Sequence, residues 1–327
     1  MTTCKISLRT VGKRSKYPDY VDSEFTELFG SLRVNPTLAL TRAAFQQESV
    51  RYTTGLSISG VQQKLSVAID EQHRLQPVTI GGSYILKPSP EEFPYAAENE
   101  HTAMQSSELL GIRTAQCGLV GFSDDELVYI TQRFDRLADG NKLHQEDLVQ
   151  GFNLPSDNKY SRSYEEAGML ILDMTNGRKA AVLDYLRRVM HAYLIGNDDM
   201  HLKNTSLQRA AGNTSRFYDY LTPHYDCLFA GTFESRNAIG FLALDLFADG
   251  FLSNAYEEYG FYTGHDFLEL AQRLSIPERP VRSFVASIES KRNELSAMIQ
   301  RSYMPENMKQ TAATTIEERL RALKIGL

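Results

Sequence analysis

The chain has 327 residues, 42% of them hydrophobic and 10% aromatic, which is enough to bury one large core or two lobes and makes disorder the wrong default. A formal net charge of −6 and a pI near 5.7 argue against the extended basic surface that sequence-independent nucleic-acid binding requires, so DNA is expected to be reached through a partner. Met1 to Pro18 lacks the apolar core of a signal peptide, no run of about 18 apolar residues follows, and Cys4, Cys117 and Cys227 never form C-x-x-C, which disfavours secretion, membrane spanning, a disulfide framework and a zinc knuckle.

The first third reads as mixed. Gly55-Leu56-Ser57-Ile58-Ser59-Gly60-Val61-Gln62-Gln63-Lys64 is a small-residue loop running into a strand, and its backbone N–H groups can cradle phosphates. A β-turn accounts for the same residues. Lys64 to Ile69 alternates as a half-buried strand does, and Tyr84 to Lys87 reads as another, ended by Pro88, with Gly81-Gly82 between them. Lys87 lies in an otherwise apolar run, where a lysine needs an anionic partner or a route to solvent. ATP phosphates are one such partner; Glu98 and Glu100 are others, and the sequence does not choose between them. Ala96 to Leu110 reads as a helix stopped at Gly111, and Leu127 to Phe134 as a strand. His144-Gln145-Glu146-Asp147 is most economically a helix start.

Helices prevail from about residue 160. Val182, Leu183, Leu186, Val189, Met190, Tyr193 and Leu194 recur at helical spacing up to Gly196, and helical patterns return at Asp266 to Leu274 and Val281 to Tyr303. The expectation is an α+β chain with a small mixed β/α N-lobe, residues 1–133, and a larger, mostly helical C-lobe, residues 134–327.

The most informative stretch follows Gly196: Asn197-Asp198-Asp199-Met200-His201-Leu202-Lys203-Asn204. Asp199 and Asn204 are separated as in the kinase catalytic loop, where the aspartate takes the proton of the attacking hydroxyl and the asparagine oxygen ligates Mg²⁺. Loops favour both residue types for local hydrogen bonding, so the pair alone is weak. Asp226, in His224-Tyr225-Asp226-Cys227, stands 27 positions after Asp199, where a second metal-binding aspartate would fall. Asn204, Asp226 and ATP phosphates would give Mg²⁺ the hard oxygen donors it prefers. His201 can brace Asp199 or meet phosphate; the other histidines are scattered, and no metal cluster is expected from them.

Taken together, these motifs in this order resemble the HipA-type toxin kinases of bacterial toxin–antitoxin systems, and most closely their short form, HipT. The resemblance rests on Ser57 through Lys64, Ile85-Leu86-Lys87-Pro88, Glu98-Asn99-Glu100-His101, Gln132-Arg133-Phe134-Asp135-Arg136, His144-Gln145-Glu146-Asp147, Gly196 through Asn204, and Tyr225-Asp226. It implies a two-lobed, protein-kinase-like fold with Asp199 as base, Asn204 and Asp226 on Mg²⁺ and Lys87 on ATP. It further implies that Lys64 approaches the phosphates, that Gln132 to Phe134 meets adenine, and that Ser57 and Ser59 beside Gly60 are autophosphorylated. The implied partners are a small HipS-like antitoxin, a HipB-like helix-turn-helix antitoxin that reaches DNA, and a protein substrate among the aminoacyl-tRNA synthetases, the tryptophanyl enzyme favoured; the place is the cytoplasm. The chain reaches its loop by residue 55, without the additional N-terminal subdomain of HipA-type chains, and carries Asp226-Cys227-Leu228 where eukaryotic kinases have D-F-G. A small-molecule kinase and a catalytically silent partner-sequestering module remain as alternatives.

Overall fold

The computed structural model describes residues 2–45, 47, 64–137, 140–234 and 240–327. Ser57, Ser59 and Gly60, with the rest of the proposed phosphate loop, lie outside them. The chain forms two compact units, each discontinuous in sequence: Met1–Gln105, Ala115–Asn141 and Met298–Pro305 in one, Ser106–Thr114, Lys142–Ala297 and Glu306–Leu327 in the other. No helix among the described residues is long and apolar enough to cross a membrane.

The first unit is built on an antiparallel sheet of β1 (Leu65–Ile69), β2 (Leu75–Pro77), β3 (Tyr84–Pro88), β4 (Cys117–Gly121) and β5 (Leu127–Gln132), in the order β2-β1-β3-β5-β4. Side chains alternate between the faces of a strand, so Leu65 and Val67, Tyr84 and Leu86, and Val128 and Ile130 share one face. That face closes on Phe25, Leu28 and Phe29 of α1 (Asp22–Phe29), with Val34, Leu38 and Phe45 completing the core. Lys87 and Tyr129, paired in register, fall on the opposite face. Pro88, which has no N–H for the ladder, is the last residue of β3. The helix read from Ala96 is α2 (Ala96–Leu109); its residues up to Gln105 belong to this unit and Ser106 onward to the other. Residues 298–305 are tied to the first unit by Arg301, whose Nε donates to the Leu8 carbonyl at 2.9 Å, and by the Tyr303 hydroxyl on the Thr3 carbonyl.

The second unit is mainly helical. The helix start read at His144–Asp147 is present at its last residue, and a short strand precedes it: Gln145–Asp147 forms β6, and Asp147 then caps the four-residue α3 (Leu148–Gly151), its side chain accepting from the Gln150 N–H while Gln150 reaches back. The dense polar run therefore serves an edge strand and a capping box in succession. After α4 (Tyr164–Met174), α5 (Lys179–Ile195) is buried around nearly its whole circumference from Tyr185 onward, as befits a central helix. It ends at Gly196, whose φ of +66° is open to glycine and strained for other residues. β6 pairs with β7 (Ser206–Gln208), and β7 with β8 (Tyr220–Leu221). The chain continues through α6 (Asn254–Tyr259) and α7 (Gly264–Arg273). The pattern from Val281 to Tyr303 resolves into two helices, α8 (Glu278–Ser290) and α9 (Arg292–Arg301), parted at Lys291, whose Nζ donates to the Leu109 carbonyl. α10 (Glu306–Leu323) follows.

Candidate active site

The loop after α5 is held by its own backbone. The His201 N–H donates to the Asp199 carbonyl at 2.8 Å, and the Asn204 side-chain amide donates to the same oxygen at 2.9 Å. Asn197 accepts from the Asp199 N–H at 3.2 Å. Donation by the Asn204 Nδ2 fixes which way its amide points and leaves Oδ1 as the atom with which it accepts or ligates. Asn204 is buried and Asp199 half-buried, with one carboxylate oxygen accepting from the Tyr160 hydroxyl at 2.7 Å.

The β7–β8 hairpin brings Asp226 toward this loop. Antiparallel register pairs Leu207 with Leu221, and the Thr222 N–H reaches the Ser206 carbonyl at 2.9 Å, so the residues before β7 and after β8 emerge at the same end. Tyr225 secures that end, its hydroxyl donating to the Lys203 carbonyl at 3.0 Å and lying 2.7 Å from Ser206 Oγ. Asp226 itself has φ +63°, a conformation uncommon outside glycine and easier for aspartate than for most residues. His201 is close enough to feel both carboxylates. Burial holds its imidazole below the ordinary pKa, Asp199 and Asp226 oppose that shift, and Lys159 reinforces it. Its Nε2 accepts from Lys159 Nζ at 2.9 Å and its ring meets Tyr160 edge-on. The partner of the Asp199 carboxylate is thus Tyr160, while His201 is engaged by Lys159.

In the first unit, Lys87 pairs with Glu100 at 2.6 Å, both side chains being less than a tenth exposed, and the Lys87 ammonium lies 5.5 Å from the Tyr129 ring centre. Of the two glutamates left open by the sequence, Glu100 is the partner. Glu98 is also buried, and desolvation pushes its carboxyl up to about 7. Lys64 is half-buried just before β1. Gln132 ends β5, its N–H donating to the Gln116 carbonyl at 2.8 Å; Phe134 is half-buried two residues on, beyond an Arg133 that grips Asp135 through two nitrogens at 3.0 and 2.8 Å.

The histidines are less scattered than their sequence positions suggest. His191, His224 and Cys227, all buried in the second unit, place one donor atom each within 4.8 Å of one another. Positions 191 and 224 are far apart in sequence, and only the approach of α5 to the segment after β8 unites them. Lys159 and Tyr160 give no sequence signal either, because Asn158-Lys159-Tyr160 carries no spacing that marks it as a neighbour of residue 199.

Among known proteins, one from Haemophilus influenzae named "Putative kinase" is 30% identical over 342 residues, covering 99% of this chain and 98% of that one. A Sinorhizobium fredii protein, "Putative kinase Y4dM", is 32% identical over 189 residues, or 53% of this chain and 44% of its own length. Among solved structures, HipA of Shewanella oneidensis, in a complex with HipB and operator DNA, matches with a TM-score of 0.61 at 19% identity over 82% of this chain and 64% of that one. The Helicobacter pylori proinflammatory kinase CtkA matches with a TM-score of 0.51 at 16% identity over 73% of this chain and 87% of its own. At such identities the two structures speak for the fold, a mixed α/β arrangement of small antiparallel sheets and many helices. The model of the HipA-like C-terminal domain matches residues 56–295, most of the sequence, and the chain belongs to that family.

Proposed function

We propose that the protein is a serine/threonine protein kinase of toxin–antitoxin type that transfers the γ-phosphoryl group of Mg-ATP to a protein hydroxyl. The observation that carries this reading is the helix–loop–strand unit in which α5 delivers Asp199 and Asn204 in one braced loop and the β7–β8 register returns Asp226 to the same end. Asn204 Oδ1 and the Asp226 carboxylate are hard oxygen donors that suit Mg²⁺. When bound, the ion would supply positive charge to offset that on the phosphates. Asp199 orients the attacking hydroxyl and accepts its proton as oxygen bonds to the γ-phosphorus and the bond to the β–γ bridging oxygen breaks, releasing ADP. Lys87 serves the α- and β-phosphates, with Glu100 setting the position of its ammonium, as a lysine–glutamate pair does in protein kinases. Lys64 and His201 are further phosphate-side candidates, and Gln132 with Phe134 the adenine-side ones.

The division into an N-lobe of residues 1–133 and a C-lobe of 134–327 belongs to this proposal. So does the HipT-like subtype, in which Ser57 and Ser59 of the loop containing Gly60 are autophosphorylated; added phosphate there would repel nucleotide phosphates or compete for their lysines. The Shewanella HipA complex with HipB supports a HipB-like helix-turn-helix partner. A HipS-like antitoxin and an aminoacyl-tRNA synthetase substrate, tryptophanyl favoured, complete the reading for this acidic chain in the cytoplasm.

Incubation of the purified chain with labelled ATP and a cell lysate tests it. Label should appear in a discrete protein band, and Asp199→Asn should lower incorporation about 10²- to 10⁴-fold, as loss of a general base does, while nucleotide binding persists. Label confined to small molecules, or incorporation undiminished in the variant, would contradict the proposal.

A further inference from the structure

One segment of the second unit, residues 156–164, touches the loop after α5 at every position from 199 to 203. The Tyr160 hydroxyl donates to the Asp199 carboxylate at 2.7 Å, the Tyr164 hydroxyl to the Met200 carbonyl at 2.9 Å, and Lys203 Nζ to Ser156 Oγ at 2.7 Å. Lys159 contributes twice: its carbonyl accepts the Leu202 N–H at 3.1 Å, and its Nζ lies 2.9 Å from His201 Nε2. An ammonium has donors and no acceptor, so Nε2 at that distance must present a bare lone pair. The imidazole is therefore neutral, and its one proton is on Nδ1. His201 is only 7% exposed, and that Nδ1 is buried with no hydrogen-bond partner in the protein. A buried N–H left unmet is unfavourable unless an acceptor reaches it.

We propose that Lys159 is a positioning residue that fixes His201 as the Nδ1–H tautomer, so that the ring offers a neutral donor to the oxygens of the phosphoryl group in flight. The role of that donor rests on the phosphoryl-transfer reading of the site; the tautomer itself does not. His201 is close enough to Asp199 and Asp226 to feel both carboxylates, which sets the ring beside the proposed base and the proposed metal-side aspartate. In transfer, charge spreads over the three equatorial oxygens of the phosphoryl group, and a donor already oriented toward them stabilises that state without reorganising. Neutrality matters as much as direction. An imidazolium beside Asp199 would ion-pair with the carboxylate and weaken it as a base, whereas the neutral ring leaves it able to take a proton. The positive charge stays on Lys159, on the side of the ring away from Nδ1. Its carbonyl bond to Leu202 pins the lysine main chain to the same loop, so the ammonium and the imidazole move together.

The test is long-range proton–nitrogen NMR correlation on the full chain, isotope-labelled at its histidine rings, with His201→Gln identifying the signal by its loss. The wild type should show a bare Nε2 and a protonated Nδ1. Lys159→Met should move the proton toward Nε2. It should also slow label transfer from saturating Mg-ATP to lysate protein by about tenfold or more, with the half-saturating ATP concentration nearly unchanged, because the lost contact is made to charge that develops only in transfer. Lys159→Arg, which can also only donate, should restore the Nδ1–H tautomer and much of the rate; a lysine that merely packs would leave the tautomer unmoved in every variant. Circular dichroism checks folding, and if Lys159→Met does not fold, the wild-type tautomer and Lys159→Arg still decide. A wild-type proton on Nε2, or a folded Lys159→Met with tautomer or rate unchanged, would overturn the role of Lys159. An Nδ1–H tautomer set by Lys159 in a chain that transfers no phosphoryl group would instead contradict the kinase reading and the use of the donor, while the hold of Lys159 on His201 stood.

Discussion

Lys87 and Asp199 are both charged groups set into protected surroundings, and they are held in opposite ways. Lys87 projects from a central strand and is neutralised by Glu100 on a separate helix, so its position depends on tertiary packing. Asp199 sits in a loop whose backbone is braced by Asn197, His201 and Asn204 within a few residues of it. A long-range pair is sensitive to the loss of either member, whereas the loop around Asp199 combines local bonds with distant ones from Lys159, Tyr160, Tyr164 and Tyr225 and depends less on any single one.

The largest effect that separates the two modes is expected at Glu100. Glu100→Gln should leave the Lys87 ammonium buried without its counter-charge and cost about 3–5 kcal/mol, read by urea unfolding. Adding Lys87→Met to it should recover most of that loss, because two neutral groups no longer need each other. Additive losses in the double variant would show that the pair is not what stabilises this face of the sheet.

A smaller effect is expected next door. Burial raises the folded-state pKa of Glu98 to about 7, above the ordinary glutamate value of 4.5. The folded state therefore holds a proton that the unfolded state has lost between those two values. The contribution is fully present below pH 4.5 and is lost as pH rises through 7, amounting to no more than about 3 kcal/mol. Glu98→Gln should flatten the decline in stability across that window, and an unchanged slope would mean that other groups produce it. The smallest effect is expected in the loop. Tyr160→Phe removes a hydroxyl from the Asp199 carboxylate while Tyr160 is itself 48% exposed, so turnover should change by at most about tenfold with nucleotide affinity unaltered. A larger loss would make Tyr160 part of the machinery itself.

The same contrast explains what was legible beforehand. Alternation marks β1 within Lys64 to Ile69, whereas β3 and β5 read as short apolar runs because Leu86, Lys87, Val128, Tyr129 and Ile130 are buried on both faces, and Gly196 marks the end of α5 because its φ is positive. The separation of Asp199 from Asn204 is readable because the hydrogen bond between them is local. The choice of Glu100 over Glu98 was not readable, since both occupy the first turns of α2 and only the packing of that helix decides. At His144–Asp147 the capping aspartate announces the helix that follows, while the short strand before it leaves no signal in so polar a run. Tyr160 at Asp199, and His191 with His224 and Cys227, are meetings of distant segments that no spacing encodes.

The proposed sharing of one ion by Asn204 and Asp226 is open to direct measurement, with Mn²⁺ as a paramagnetic stand-in for Mg²⁺ and a non-hydrolysable ATP analogue present. Asn204→Ala and Asp226→Asn should each weaken Mn²⁺–nucleotide binding by about tenfold or more, whereas Asp199→Asn should leave it nearly unchanged. Unaltered Mn²⁺ binding in both Asn204→Ala and Asp226→Asn would contradict the metal site and, with it, the phosphoryl-transfer chemistry built on this loop.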